Sequence, residues 1–330
     1  MTKRFDVVGI GNALVDVLAP VEDSFLATHG VEKGIMHLID TDRAVALYAA
    51  MGPAREVSGG SAANTIAGIA ALGGRTAYVG KVRDDQLGQI FAHDLRAQGA
   101  VYETAMAEDT AAETGRCLVL VSPDGERTMN TYLGWSEFLS PGDVDPAMMA
   151  DAEWLYLEGY RFDGPESHAA FAKAISAAKA AGGKVAITLS DPFCVERHRA
   201  AFLEMIRAHV DLLFANEHEL MALYEAGDLE TALARAAADA GRVACTQGAA
   251  GVTLLSRETR VDVPAAPATV VDATGAGDLF AAGLLYGLTA GAGLERAGQM
   301  GCLAAAEIIG HIGARPEANL KELFQQHGLM

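Results

Sequence analysis

Residues 272–280 read DATGAGDLF, and they combine two kinds of chemistry in one turn. Gly275, Ala276 and Gly277 precede an apolar run that reads as a helix. Their backbone N–H groups would converge on one centre with the helix dipole behind them, which is an arrangement for an anion. Asp278 follows at the start of that run, where a carboxylate would repel the same anion. The loop is no Walker A loop, since GxxxxGK followed by Ser or Thr is absent and no lysine comes after the glycines. The bland alternative is that Asp278 caps the helix and Gly275 ends a turn.

Four other stretches hold polar residues where a ligand would sit. GIGNALVD (9–16) starts like a dinucleotide fingerprint, but Leu14 stands where the third glycine belongs. A polar clamp is the alternative, in which Asn12 and the two oxygens of Asp16 hold a vicinal diol. VSGGSAANT (57–65) puts Gly59 and Gly60 before a helix, with Asn64 about one turn inside it. Gly60 would allow close backbone approach to a ligand, or would simply make a turn before a cap. ANEHEL (215–220) places Asn216 and Glu219 three apart, which suits a capping box or an outer-shell Mg²⁺ site that keeps its waters. CTQGAAG (245–251) puts Thr246 and Gly248 after a strand, where they would line a nucleotide or merely form a strand-to-strand turn.

These residues need a scaffold, and the sequence alternates strands with helices. FDVVGIG (5–11), TAYVGKV (76–82), WLYLEGY (154–160), KVAITLS (184–190), DLLFAN (211–216) and RVACTQG (242–248) read as strands. Helical patterns cover 61–74, 86–99, 166–181, roughly 195–208, and 217–240 with a break near Gly227. That alternation predicts a mainly parallel sheet covered on both faces, with ligands at the carboxyl ends of its strands. Two regions depart from the rhythm: 17–58, and 113–134, which reads as a hairpin around Pro123-Asp124-Gly125. They predict a small β lid, residues 17–58 and 113–134, over a large domain made of 1–16, 59–112 and 135–330.

Bulk properties narrow the function classes. The chain has 330 residues, 51% of them hydrophobic, and a formal net charge of −18 from 43 acids and 25 bases. Such a surface disfavours nucleic acid and anionic membranes but not a small anionic ligand at a local site. Cys117, Cys194, Cys245 and Cys302 are far apart in sequence and read as reduced, buried thiols. The N-terminus lacks the pattern of a signal peptide, and no stretch is long and apolar enough to span a bilayer. The expectation is a cytoplasmic protein.

GGSAANTIAGIAALGGRTAYVGKVRDD, NEHE and DATGAGDLFAAG, in this order, resemble the signatures of the ribokinase-like, or PfkB, carbohydrate and nucleoside kinases. GNALVD, ETGRC (113–117), LEGYRF (158–163) and TQG (246–248) are similar to the adenosine kinase branch. The resemblance implies a ribokinase-like three-layer α/β sandwich and transfer from MgATP to a hydroxyl of a small nucleoside or sugar. It implies Asp278 as base and Gly275, Ala276 and Gly277 as the anion hole. Asn12, Asp16, Gly60 and Asn64 would hold sugar hydroxyls, and Asn216 and Glu219 would organise Mg²⁺ through water. Thr246 and Gly248 would face the nucleotide. Arg127 would meet phosphates when the lid closes, Tyr160 would stack on a base or stay in the core, and Asp272 would lie near a monovalent cation such as K⁺. A monomer or homodimer is expected. Two other readings stay open: a non-catalytic sugar-sensing protein of the same fold, and an NAD-dependent dehydrogenase built on GIGNAL.

Overall fold

The structure, a computed structural model, describes residues 3–256 and 258–330. Apolar runs such as Phe5–Ile10 are buried on both sides, and a sheet allows this only where helices cover both faces. In chain order the strands are β1 (Phe5–Ile10), β2 (Leu14–Pro20), β3 (Met36–Leu38), β4 (Arg55–Gly59), β5 (Thr76–Val79), β6 (Val101–Tyr102), β7 (Thr114–Val121), β8 (Arg127–Gly134), β9 (Ala152–Glu158), β10 (Lys184–Thr188), β11 (Leu212–Asn216), β12 (Arg242–Thr246), β13 (Val252–Ser256) and β14 (Arg260–Val263).

Nine of these form the main sheet, in the order β14-β13-β12-β11-β10-β9-β1-β5-β6. From β12 to β6 every pairing is parallel, and β13 and β14 add antiparallel at one edge. Helices pack on both faces, each over its own core. One core joins Ile66, Tyr78, Leu279 and Leu284. The other joins Leu155, Phe171, Ile187 and Phe202. This is the three-layer α/β sandwich that the sequence implies.

A glycine sets the spacing that matters for the site. A Cβ on Gly68 would stand 2.7 Å from Leu279 and 2.8 Å from Ala282. Without one, helices Ser61–Ala71 and Ala276–Thr289 approach closely and their N-termini lie side by side. Overpacking here would cost about 1–3 kcal/mol.

The remaining five strands make a second sheet, β3-β8-β7-β2-β4. The hairpin expected around Pro123-Asp124-Gly125 is β7–β8, paired from Thr114↔Gly134 to Val121↔Arg127, with Gly125 at φ 81°. Its residues alternate as a half-covered sheet must. Val17, Leu118 and Leu120 face Leu26 and Leu47 of two covering helices, while Cys117, Met129 and Thr131 face the main sheet's crevice. The boundary differs from the expected one. β2 runs unbroken through Leu14–Pro20, with Asp16 opposite Val57 and Cys117. Asp16 therefore rides on the lid, because its backbone is committed to that sheet's ladder. No helix among the described residues is long and apolar enough to cross a membrane.

Candidate active site

The strand order reverses at β1, whose neighbours β5 and β9 continue in opposite directions. Ligands of open α/β sheets bind beyond the carboxyl ends of strands at such a point. A cavity of about 740 Å³ lies there, between the main sheet and the lid. Asn12, Asp16, Gly60, Asn64, Arg127, Tyr160, Asn216, Glu219, Thr246, Asp272, Gly275, Ala276, Gly277 and Asp278 all line it. Gly248 does not. It opens the short turn Gly248–Ala250 between β12 and β13 at φ 54°.

Asp278 is not a cap. Gly275 occupies the N-cap position, with no side-chain cap bond, and Asp278 lies in the first turn of Ala276–Thr289. Its carboxylate reaches across to the neighbouring helix, where Ser61 Oγ donates to Oδ1 at 2.6 Å and Asn64 Nδ2 to Oδ2 at 2.9 Å. Burial pushes its pKa up to about 6, against those two hydrogen bonds and the charge of Arg315. A carboxylate held this way is oriented and still basic near neutral pH, as a general base requires. The Ser61 hydroxyl is thus spent on Asp278, and Gly60 holds the N-cap position of Ser61–Ala71.

The loop leaves a set of N–H groups free that differs by one residue from the expected set. Among the described residues, the N–H groups of Gly275, Gly277 and Asp278 have no acceptor within the chain, whereas that of Ala276 turns to the Ala273 carbonyl at 3.3 Å. The three free donors are therefore at 275, 277 and 278, and Ala276 is not among them. Gly275 sits at φ 78°, and a Cβ there would come 2.9 Å from Ala314. A side chain is excluded on both counts.

The residues expected to hold hydroxyls line the same cavity. The side-chain oxygen of Asn12 accepts from Ser136 Oγ and Arg161 Nη1, both at 3.0 Å, which leaves its NH₂ end without a partner among the described residues. Burial raises Asp16 to about 7, with Asp278 adding to the rise and Arg315 and Arg127 opposing it. Gly60 is at φ 95°, and a Cβ would lie 2.2 Å from the Asn12 carbonyl. The Asn64 Oδ1 atom is buried without a partner.

The remaining expected residues lie around the same cavity. Asn216 and Glu219 make a complete capping box: Asn216 N and Nδ2 donate to the two Glu219 oxygens at 2.9 and 2.7 Å, and Glu219 N donates back at 2.9 Å. With both oxygens engaged, Glu219 fits an outer sphere of metal-bound water and not direct ligation. No cluster of three or more metal-ligating His, Cys, Asp or Glu exists among the described residues. Asp272 accepts from Thr274 N at 3.0 Å and Gly313 N at 2.8 Å, and it pairs with the Arg127 guanidinium. Arg127 correspondingly reaches the cradle loop itself. Tyr160 lines the cavity, yet it also packs on the apolar core of the sheet's far face, and its N–H donates to Ser190 Oγ at 3.1 Å. Thr246 lines the cavity at the end of β12.

Sequence reasoning missed three residues. Glu158, 1% exposed at the end of β9, accepts from Asn12 N at 3.2 Å and Ala62 N at 2.8 Å, fastening two loops of the site to each other. Burial pushes it up to about 7. Arg161 is fully buried and donates to Asn12 and to the Ser136 and Leu139 carbonyls. An acid and a base at the end of an apolar strand were the available signal. Arg315, in a polar C-terminal stretch, carried none.

The profile of the pfkB family carbohydrate kinases matches residues 37–320. The chain is 34% identical over 239 residues to a fructokinase of Klebsiella pneumoniae, covering 70% of this chain and 77% of that one. Among solved structures, a probable sugar kinase from Rhizobium etli CFN 42 is 47% identical with a TM-score of 0.96 and full coverage of both chains. An adenosine kinase from Sinorhizobium meliloti is 48% identical with a TM-score of 0.94, covering 98% of this chain and 99% of that one. With a family match over most of its length and an oriented carboxylate beside a free N–H cradle, this chain belongs to the pfkB family of kinases, phosphotransferases that act on hydroxyl groups.

Proposed function

We propose that the chain transfers the γ-phosphoryl group of ATP to the 5′-hydroxyl of a ribonucleoside, adenosine foremost. The observation that carries the reaction is Asp278: a carboxylate fixed by Ser61 and Asn64 next to the unpaired N–H groups of Gly275 and Gly277. The observation that favours a nucleoside is the lid face. Leu14, Met36, Leu38, Met129 and Leu133, all on the lid sheet, line the cavity and give an apolar wall where a base would lie. The likeness to the Sinorhizobium adenosine kinase supports the same reading.

Asp16 and the Asn12 amide hold the two ring hydroxyls. The 5′-hydroxyl then points at Asp278. Its proton moves to the carboxylate as its oxygen bonds to phosphorus, and the bond to the ADP leaving oxygen breaks in line. The free N–H groups of the cradle meet the charge on the phosphoryl oxygens, which supplies the larger share of the barrier lowering. A base of this kind adds about 10²–10⁴-fold. Mg²⁺ bound with ATP would neutralise phosphate charge, and Asn216 and Glu219 would hold its waters in the outer sphere. Arg127 draws the lid to the cradle loop and keeps water from the transfer.

A free sugar such as fructose or ribose is the second reading, favoured by the likeness to the Klebsiella fructokinase and the Rhizobium probable sugar kinase. ATP-dependent ADP release with adenosine, inosine, ribose and fructose separates the two. Adenosine giving the highest kcat/KM is the expected result; turnover of fructose or ribose alone overturns the nucleoside assignment.

A further inference from the structure

Residues 313–315 belong to no helix or strand, yet they touch the glycine loop, the lid and the body helix at the site. Gly313 N donates to Asp272, and Ala314 is the neighbour that forbids a side chain on Gly275. Arg315 reaches further. Its Nε donates to the Ser58 carbonyl at 3.1 Å, Nη2 to Ser58 Oγ at 3.2 Å, and Nη1 to the Ala63 carbonyl at 2.7 Å. Ser58 is on the lid strand β4, and Ala63 is in the first turn of the body helix Ser61–Ala71. One guanidinium therefore bridges lid and body across Gly59 and Gly60. Both carboxylates of the site adjoin that bridge. A Cβ on Gly59 would lie 2.3 Å from the Asp16 carboxyl group, and Ser61 and Asn64, on either side of Ala63, hold Asp278.

We propose that Arg315 is a positioning residue for the transfer: it fixes the Gly59–Gly60 junction of lid and body so that Asp16 and Asp278 face one acceptor. The inference rests on the reading of Asp278 as the base. The electrostatics agree with the geometry. Burial raises both acids, and Arg315 opposes the rise at each. Arg127 helps it at Asp16, while Asp278 and Asp16 repel each other's charge there. The charge on Asp278 also raises Glu158, Glu219 and Tyr156 in the surrounding walls. Arg315 itself is lowered by burial to about 10, with Asp16, Asp278, Tyr78 and Asp94 acting to keep it charged, so it remains a cation at neutral pH.

The test is the pH profile of kcat/KM for the acceptor with MgATP, using adenosine, or fructose where adenosine is not turned over. The acid limb reports groups of the free enzyme that must be ionised. Removing a nearby cation raises a carboxylate's pKa, so R315M moves the limb up by about one pH unit and raises the acceptor KM. R315K keeps a charge but not the three-way fork, so it leaves the limb in place while lowering kcat/KM by about tenfold. A merely structural residue would lower activity equally in both variants without moving the limb. Should R315M fail to fold by circular dichroism, R315Q reads the same limb with donors but no charge. A wild-type limb that neutral variants leave unmoved overturns the role of Arg315 alone. A wild type with no acid limb, or a D278N variant of full activity, removes the base and this inference with it.

Discussion

Replacing Glu158 by glutamine separates positioning from stability. The ionised side chain accepts from Asn12 N and Ala62 N through its two oxygens, at a site 1% exposed. Glutamine can accept only one of these bonds, and its NH₂ faces the other donor. A buried donor left unpaired costs about 1–3 kcal/mol. Against this stands the cost of the native charge. A pKa lifted from 4.5 to about 7 corresponds to about 3 kcal/mol of folded-state penalty once the group is ionised. The two terms nearly cancel, so at pH 8 the variant's stability stays within about 2 kcal/mol of wild type. For a chain of 330 residues that is a shift of about 3 °C or less in Tm. Activity has no such compensation. Whichever N–H loses its partner carries Asn12 or the start of the Gly60 helix with it, and a displacement near 1 Å costs about 10²-fold. Thermal melting and kcat/KM for the acceptor at pH 8 test the pair of statements. Unchanged kcat/KM refutes the positioning argument, and a Tm collapse of ten degrees or more refutes the balance of terms.

Two further outcomes follow from the same geometry. Gly60→Ala places a Cβ 2.2 Å from the Asn12 carbonyl at a left-handed φ of 95°, so acceptor KM should rise by at least about tenfold while the apolar cores hold, read by acceptor titration beside a melting curve. Asp16, Glu158, Glu219 and Asp278 all have pKa values raised by burial, to about 7, 7, 7 and 6. Their folded forms hold protons that the unfolded chain has released, so stability declines as pH rises through these values; Tm should be higher at pH 5.5 than at pH 8, and the reverse order would contradict the burial of these acids.

Much of the scaffold was legible because its signals are local. The strand and helix periods, the glycine stops and the Pro-Asp-Gly turn of β7–β8 each depend on a few adjacent residues. The DATGAGD loop was legible, for the same reason, as a glycine turn that opens a helix with an acid in its first turn, but the bond that takes Ala276 N–H to the Ala273 carbonyl was not. What escaped depends on contacts between distant segments. Arg315 lies 252 residues from Ala63, and Glu158 lies 96 from Ala62. The partner of Asp272 was missed because Arg127 sits on a hairpin whose docking no local pattern encodes. The lid boundary slipped because β1 and β2 are separated by only three residues, too few to mark a change of sheet.

Asp278→Asn tests the central claim most directly. Asparagine fits the same space and keeps an acceptor for Ser61 or Asn64, but it cannot take up a proton. Calorimetric binding of adenosine should remain within about threefold of wild type, while MgATP-dependent turnover falls by about 10²–10⁴-fold. Turnover close to wild type, with the acceptor still bound, would contradict the assignment of Asp278 as the base.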